Sequence, residues 1–473
     1  MTEARIALAL AVLTACGGVP PPDPRQEGNW EGLAPPGALP APTILLIVLD
    51  TLRADHLSLY GYGRPTSPVL AELAEEARVY TRARSTAPWT LPSHASLFTG
   101  LYPHQHGAHT RRGADGSKDY ATPLDDEVTT LAELLSGRGY RTAAVVANEG
   151  FLHPRFRLDQ GFDVYDAGRG TVREINERAL AWLDAQGAPL PVFLFLNYMD
   201  THRPYNCSMR EGFPYHGGDR TSGARMKRAR KILIDGAPEL PADLVQELVD
   251  QYDTAIANLD EGLGELFDAL RARGRWDNTL VVVTSDHGEF FGEHALVEHS
   301  KDVYEPVLSV PLIVRPPGGV PAERDERPIA GAHVPGIVLS WAGMGPGDVP
   351  RFFDCWPRSD VFAENHYSRQ HDMRGVWRDR LGRVRRAIYR DDWKLIESSD
   401  GAHELYDLAS DPDEARNLFV SEPGRAEELA AALSAQIRSA AERRAELVDL
   451  AEHDPGVMSE LGYAGDDGES SDQ

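Results

Sequence analysis

Thr43 to Leu49 (TILLIVL) is an uninterrupted apolar run that stops abruptly at Asp50. A strand with no polar alternation has no face to give to water, so it belongs inside a sheet covered on both sides, as parallel sheets are. The chain repeats this design at Thr142 to Ala147, which ends at Asn148, and at Val192 to Leu196, followed by Asn197, Asp200 and His202. It repeats it again at Thr279 to Thr284, followed by Asp286 and His287. Helix patterns lie between and beside these runs, at Pro68 to Val79, Val128 to Arg138, Val172 to Ala185 with Thr171 as N-cap, and Ala242 to Arg273. Strands alternating with helices predict an α/β fold, doubly wound about a mainly parallel sheet. Ligands of such sheets bind beyond the carboxyl ends of the strands, which is where the polar residues fall. One capping Asp is commonplace; agreement among separate strand ends is not.

Asp50, Asp286 and His287 form a mixed oxygen and nitrogen set suited to one divalent cation, without choosing among Mn²⁺, Zn²⁺, Mg²⁺ and Ca²⁺. Thr90 opens the stretch T-L-P-S-H-A-S-L-F-T-G, which ends at Gly100. Read alone, Thr90 is an ordinary helix N-cap. Helix N-termini also favour anions, and a bound metal lowers the pKa of coordinated water from about 15.7 to about 7, so a metal-bound Thr90 hydroxyl is a chemically adequate nucleophile.

The other regions are read from composition. A net charge of −25 excludes a general nucleic-acid binder, which needs clustered Lys and Arg, yet leaves room for a local pocket for a small anionic ester. Residues 1–16 carry the apolar run Ile6 to Ala15, about half the roughly twenty residues a membrane span needs, and end in Leu13-Thr14-Ala15-Cys16. That tetrapeptide resembles a bacterial lipobox, which implies lipidation of Cys16 and attachment to the membrane through a lipid anchor only. The Pro/Gly-rich residues 17–42 read as a tether, placing a catalytic domain over residues 43–350 in the bacterial cell envelope, facing the periplasm or the exterior. Cys207 and Cys355 can pair in an oxidising compartment, but nothing in the sequence brings them together, and they are left unpaired here.

Several motifs in order carry a resemblance. LIVLDTLRADHL (Leu46 to Leu57), PWTLPSHASLFTGLYP (Pro88 to Pro103), MDTHRPY (Met199 to Tyr205), SDHGEFFGEH (Ser285 to His294) and HSKDVYEP (His299 to Pro306) together resemble a sulfatase of the alkaline-phosphatase-like superfamily. The resemblance runs on through Trp393 to Leu418 and covers most of residues 43–420. It implies an ester hydrolase with Asp50, Asp286, His287 and Thr90 on the metal and Thr90 as nucleophile. It further implies that His202 and Lys301 contact the transferred group or the leaving oxygen. Asn148, at another strand end, can add a neutral donor to the substrate.

Three departures from the family pattern bear on the chemistry. The formylglycine signature C/S-x-P-x-R reads T-L-P-S-H, so Thr90 argues against formylglycine as a cofactor. A sulfated formylglycine hydrate collapses by elimination, a route a sulfated Thr lacks, whereas phosphothreonine is released by in-line attack on phosphorus; a phosphoester is therefore favoured over a sulfate ester. Thr51 stands where many sulfatases have a second Asp, which weakens the case for an oxygen-rich Ca²⁺ site. His94 replaces the Arg and can act as a base toward Thr90 or simply cap and pack. The alternatives are an envelope phosphoryl-group transferase and a catalytically silent sulfatase-like binding protein.

His104, His106 and His109 follow the nucleophile motif and are read as packing or substrate-loop residues, since His without Cys or carboxylate partners is a weak metal signal. Arg220 to Lys231 is read as a solvated basic insertion. Arg383 to Arg390 and Trp393 to Glu397 predict two strands joined by Asp391-Asp392, and Arg425 to Val448 a long helix, together a small C-terminal α+β subdomain over residues 351–450. Residues 451–473 are acidic and are expected to form a flexible tail.

Overall fold

Both faces of the first apolar run are buried, and its residues alternate between two cores. A computed structural model describes residues 41–112, 119–186, 190–205, 222–350, 355, 359–368, 372–439 and 448–449. Cys16 and the leader, nearly all of the tether, Cys207, Arg220 and the acidic tail lie outside the described residues.

The main sheet contains β1 (Thr43–Leu49), β2 (Arg78–Tyr80), β3 (Arg141–Val146), β4 (Val164–Ala167), β5 (Val192–Tyr198), β6 (Thr279–Thr284), β7 (Leu312–Arg315) and β8 (Glu323–Asp325). Their spatial order is β8-β2-β7-β6-β1-β5-β3-β4. Only β7 runs against the others, pairing antiparallel with both β2 and β6. The fold is therefore a doubly wound α/β fold with a mainly parallel sheet, and β1 sits at its centre between β5 and β6.

Among the described residues the longer helices are α1 (Pro68–Ala74), α2 (Thr90–Thr99), α3 (Leu131–Gly137), α4 (Val172–Ala185), α5 (Ser222–Ile234), α6 (Ala242–Ala272), α7 (Val334–Trp341) and α8 (Pro423–Ser439). Leu45, Ile47 and Leu49 of β1 face Ile175 and Ala179 of α4 and Leu259 and Leu263 of α6. Ile44, Leu46 and Val48 face the other core, with Leu91, Ala95 and Phe98 of α2, Leu131 of α3 and Ile337 of α7. Each such side chain contributes about 1.5–3 kcal/mol on burial, so a one-residue slip of β1 would forfeit both cores at once.

Element boundaries differ from the sequence pattern where local chemistry intervenes. The Pro68 to Val79 pattern is helical only to Ala74; Val79 and Tyr80 instead pair with Ile313 and Leu312, as suits a β-branched and an aromatic residue. Thr130 caps α3, accepting from Glu133 N at 3.2 Å, and thereby delays the helix start to Leu131. Thr171 caps α4 as expected.

The C-terminal region is an antiparallel meander of β9 (Val361–His366), β10 (Val384–Arg390), β11 (Trp393–Ser398) and β12 (Glu404–Asp407), in that spatial order, with α8 packed on it. Asp391, with φ 53°, makes the turn between β10 and β11. The long C-terminal helix is described over Pro423–Ser439, and Val448, expected at its end, lies instead in a short strand paired with Ala121. No helix among the described residues is long and apolar enough to cross a membrane.

Candidate active site

The carboxyl ends of β1, β3, β5 and β6 deliver the site residues. Asp50 leaves β1, with its N–H bonded to Tyr198 O at 2.9 Å, and Asp286 and His287 follow β6 two and three residues after Thr284. Ligand atoms of Asp50, Asp286 and His287 all lie within 4.8 Å of one another, and all three residues are buried. His287 donates from Nδ1 to Gly288 O at 2.9 Å, which fixes Nε2 as its lone-pair nitrogen, 3.4 Å from Asp286 Oδ2.

Three further hydrogen bonds hold the carboxylates. Asp286 Oδ1 accepts from the N–H of Thr51 at 3.2 Å and of His287 at 2.9 Å, and Asp50 Oδ2 accepts from Asn148 Nδ2 at 3.0 Å. Thr51 has φ 62°, an uncommon conformation for a β-branched residue, and its hydroxyl donates to Thr201 O at 2.6 Å. The strained turn directs the Thr51 N–H at one ligand and its side chain away.

Burial, with Asp286 beside it, pushes the Asp50 carboxyl up to about 7, and burial does the same to Asp286, also to about 7. Asp50 Oδ1 and Asp286 Oδ2 are buried and have no hydrogen-bond partner among the described residues. Two orphaned carboxylate oxygens converging beside an imidazole lone pair are the donor set of a divalent cation, so the residues fit the metal that the sequence implies.

The S-D-H-G turn itself depends on Gly288. A Cβ there would lie 2.1 Å from Pro306 O, while the Gly288 N–H bonds Val307 O at 2.9 Å. Ser285 completes the turn, accepting from Leu52 N at 2.9 Å and donating to His287 O at 2.7 Å.

Thr90 is the first residue of α2, not its cap; the extended Trp89 occupies the N-cap position. Thr90 is fully buried, and its turn is tied to Asp286. Ser93 Oγ lies 3.0 Å from Ser85 Oγ, which in turn donates to Asp286 O. His94, one turn on, donates from Nδ1 to the Thr90 carbonyl at 2.9 Å and lies 3.5 Å from Asp286 Oδ2. Burial drives its pKa down to about 3, so it is neutral, and its ring packs against Phe98 and Phe195. Its contact with Thr90 is through the backbone carbonyl.

Asn148 is placed against Asp50, and its Oδ1 accepts from Gly150 and Phe151 N–H, both at 3.1 Å. Its side chain thus orients Asp50, one of the three residues that could hold the metal. Asp200 accepts from Val172 N at 3.3 Å and so serves the start of α4.

His202 donates from Nδ1 to Arg203 O at 2.7 Å, and its ring centroid is 5.1 Å from that of His299, which is 4.5 Å from that of His287. Lys301 donates to Glu298 Oε2 at 3.1 Å and His299 O at 3.3 Å, with Asp372 Oδ2 at 3.6 Å. The N–H of Ser300, bonded to Pro88 O at 2.8 Å, ties this loop to the segment that enters α2.

Arg203, 3.0 Å from Glu298, and Arg230, 3.9 Å from Glu298 and 3.8 Å from Asp372, complete a buried charge cluster around Lys301. Arg230 belongs to the segment read as a solvated insertion. The described part of that segment is α5, which buries Met226, Ala229 and Leu233 against the core. Glu289, within 3.2 Å of His299 Nδ1, is pushed up to about 8 by burial and by Glu298. The sequence pattern missed Arg230, Glu298 and Asp372, because only the folded chain brings these distant charges together.

His104, His106 and His109 are buried away from this cluster. His104 Nδ1 lies 2.8 Å from Glu364 Oε2, His106 Nε2 lies 3.2 Å from Ser96 Oγ, and His109 stacks on His366 at 3.7 Å. Cys355 is buried, packed beneath Gly100.

The Sulfatase family model matches residues 42–344, well over half the chain. The chain belongs to the sulfatase family. This sulfatase-family chain is 23% identical over 429 residues to the uncharacterized sulfatase YidJ of Escherichia coli, covering 80% of this chain and 83% of that protein. It is 26% identical over 476 residues to the multifunctional alkaline phosphatase superfamily protein PehA of Trinickia caryophylli, covering 79% and 90%. Among solved structures, the phosphonate monoester hydrolase of Agrobacterium radiobacter superposes with a TM-score of 0.63 at 20% identity, covering 84% of this chain and 95% of that one. A 2-O GAG sulfatase does so with a TM-score of 0.66 at 18% identity, covering 85% and 92%. The chain is accordingly a sulfuric or phosphoric ester hydrolase of alkaline-phosphatase-like fold, in a superfamily that uses a divalent metal.

Proposed function

We propose that the chain hydrolyses a phosphate ester, with Thr90 as the nucleophile. The observation that carries this reading is a threonine, rather than a formylglycine precursor, at the first position of α2, pinned through Ser93 and Ser85 to the Asp286 turn. Asp50, Asp286, His287 and the Thr90 hydroxyl would hold the divalent ion, which when bound supplies Lewis acidity and favours the ionised hydroxyl.

The chain's own residues account for the rest. The N-terminus of α2 favours the anionic group of the ester. Thr90 Oγ1 attacks phosphorus, forming a new O–P bond as the bond to the alcohol oxygen breaks, and water then attacks phosphorus to return Thr90. Lys301 offers charge to a non-bridging oxygen or the leaving oxygen, and His202 donates a hydrogen bond or proton there. His94 is neutral and bonded to the Thr90 carbonyl, so it shapes the first turn of α2.

Sulfate-ester hydrolysis is the second reading, favoured by the sulfatase family membership. The proposal extends to place: lipidation at Cys16 and the tether after it would hold the enzyme in the bacterial cell envelope, facing the periplasm or the exterior. The test is a panel of aryl phosphate, aryl phosphodiester and aryl sulfate with Mn²⁺, Zn²⁺, Mg²⁺ and Ca²⁺, for wild type and Thr90→Ala. Phosphoester turnover abolished by Thr90→Ala supports the reading. Turnover of the sulfate alone, or equal activity of the two proteins, overturns it.

A further inference from the structure

A cleft of about 510 Å³ opens between Arg112, the last residue of the short strand Thr110–Arg112, and the segment Met373 to Gly382, lined by Arg112, Met373, Arg378, Asp379 and Gly382. Its volume lies in the range of small-molecule sites. It adjoins the site described above. Asp372, the residue before Met373, approaches Lys301 at 3.6 Å, and Trp377, the residue before Arg378, lies with its ring 5.6 Å from Lys301 Nζ.

Among the described residues, two arginines of this cleft stand without a carboxylate counter-charge in an acidic chain. The chain carries 73 acidic against 48 basic residues, and its arginines are widely paired: Arg383 with Asp400 at 3.0 Å, Arg385 with Asp302 at 2.9 Å, Arg386 with Glu364 at 2.8 Å. Arg112 and Arg378 have no carboxylate partner among the described residues. The half-buried Arg112 guanidinium lies 4.6 Å from the Tyr367 ring centre, with one N–H directed at Met373 Sδ at 3.0 Å. Sulfur is a weak acceptor, so the contact positions the group without neutralising it. Arg378 is exposed at the cleft wall. Asp379, also exposed, adds one acceptor suited to a hydroxyl.

A pre-positioned guanidinium lining a cleft together with a second one is a pairing that can recognise a carboxylate, sulfate or phosphate. We propose that Arg112 and Arg378 bind a second anionic group on the alcohol part of the substrate, so that the preferred ester is one whose leaving alcohol is itself an acid. This rests on the ester-hydrolase reading of the Thr90 site, but not on whether the ester is phosphate or sulfate. The two arginines are specificity-determining residues; the bond broken is the one already described.

The experiment uses matched 2-nitrophenyl phosphates and 2-nitrophenyl sulfates, plain or carrying a carboxylate, a sulfonate or a phosphonate on the ring directly or through a short alkyl tether. Two quantities are read: the ratio of kcat/KM for the acidic to the plain ester in wild type, Arg112→Gln and Arg378→Gln, and the ratio of calorimetric Kd values for the same pair on Thr90→Ala protein. Wild type is expected to favour at least one acidic ester by about tenfold or more, the size of one charge-assisted contact. Each arginine substitution is expected to bring the ratio toward one, as is high salt. Which acid and tether give the largest ratio identifies the second group. A ratio near one for every tether in wild type overturns the inference, as does a ratio that survives both substitutions. Arg378 is exposed, so its variant is not confounded by misfolding. Failure of the Thr90 reading shows separately, as turnover that persists in Thr90→Ala, and the binding ratio is read whether or not the ester turns over.

Discussion

Asn148 donates from Nδ2 to Oδ2 of Asp50 at 3.0 Å while its own Oδ1 is fixed by the N–H groups of Gly150 and Phe151. The amide is therefore locked in one orientation, and the Asp50 carboxylate it holds is locked with it. Such outer contacts are worth about 10–100-fold in metal affinity. Asn148→Ala is expected to weaken divalent-metal binding by about tenfold or more, and Asn148→Asp by more, because it sets a second carboxylate against Asp50. Titration of chelator-treated protein with Mn²⁺ and Zn²⁺ measures both.

Proton release gives an independent check on the ligand set. Without metal, Asp50 and Asp286 are each raised to about 7, above their ordinary value of 3.8, so the folded metal-free chain binds protons more tightly than the unfolded one. These groups make metal-free stability fall as pH rises from about 4 to about 7 and level off above that. A metal competes with those protons, so binding at pH 6 is expected to release between one and two protons, and at pH 8.5 close to none from these groups. Calorimetry in buffers of different ionisation enthalpy reads the number. A release that does not change with pH would remove the two carboxylates from the ligand set.

Gly288 allows the metal-ligand turn to pass close to Pro306 O. Gly288→Ala forces that contact apart and is expected to cost about 1–3 kcal/mol of stability and to lower metal affinity as His287 shifts. Denaturant unfolding and metal titration of the same variant read the two effects.

His94 separates a base from a packing residue. Its Nδ1 donates to the Thr90 carbonyl at 2.9 Å, and burial lowers its pKa to about 3. His94→Asn, which keeps a side-chain donor near that carbonyl, is expected to retain kcat to within about tenfold while losing about 1–3 kcal/mol of stability. A general base would cost about 10²–10⁴ in rate. Steady-state kinetics beside a thermal melt distinguishes the two.

Much of this was legible in the sequence because burial on both faces leaves a plain signature. β1 and β6 match their apolar runs, and Asp50, Asp286 and His287 meet where the strand ends said they would. Val79 was misread as helical because a three-residue strand has too short a period to outweigh the preceding helix pattern. Arg230 read as a solvated charge because its partners, Glu298 and Asp372, lie far along the chain. Asn148 read as a neutral donor at a strand end, and the direction of its Nδ2 toward Asp50 Oδ2 is a detail that a strand-end position does not specify. The need for glycine at position 288 comes from Pro306, eighteen residues on, and no local pattern records it.

The central claim is that Thr90 carries the transferred group. Protein quenched during turnover of an aryl phosphate and analysed by peptide mass spectrometry is the direct measurement. The account expects a phosphoryl group on the peptide containing Thr90, absent without substrate and absent in Thr90→Ala. Turnover with no adduct on Thr90, at a rate that Thr90→Ala preserves, would contradict it.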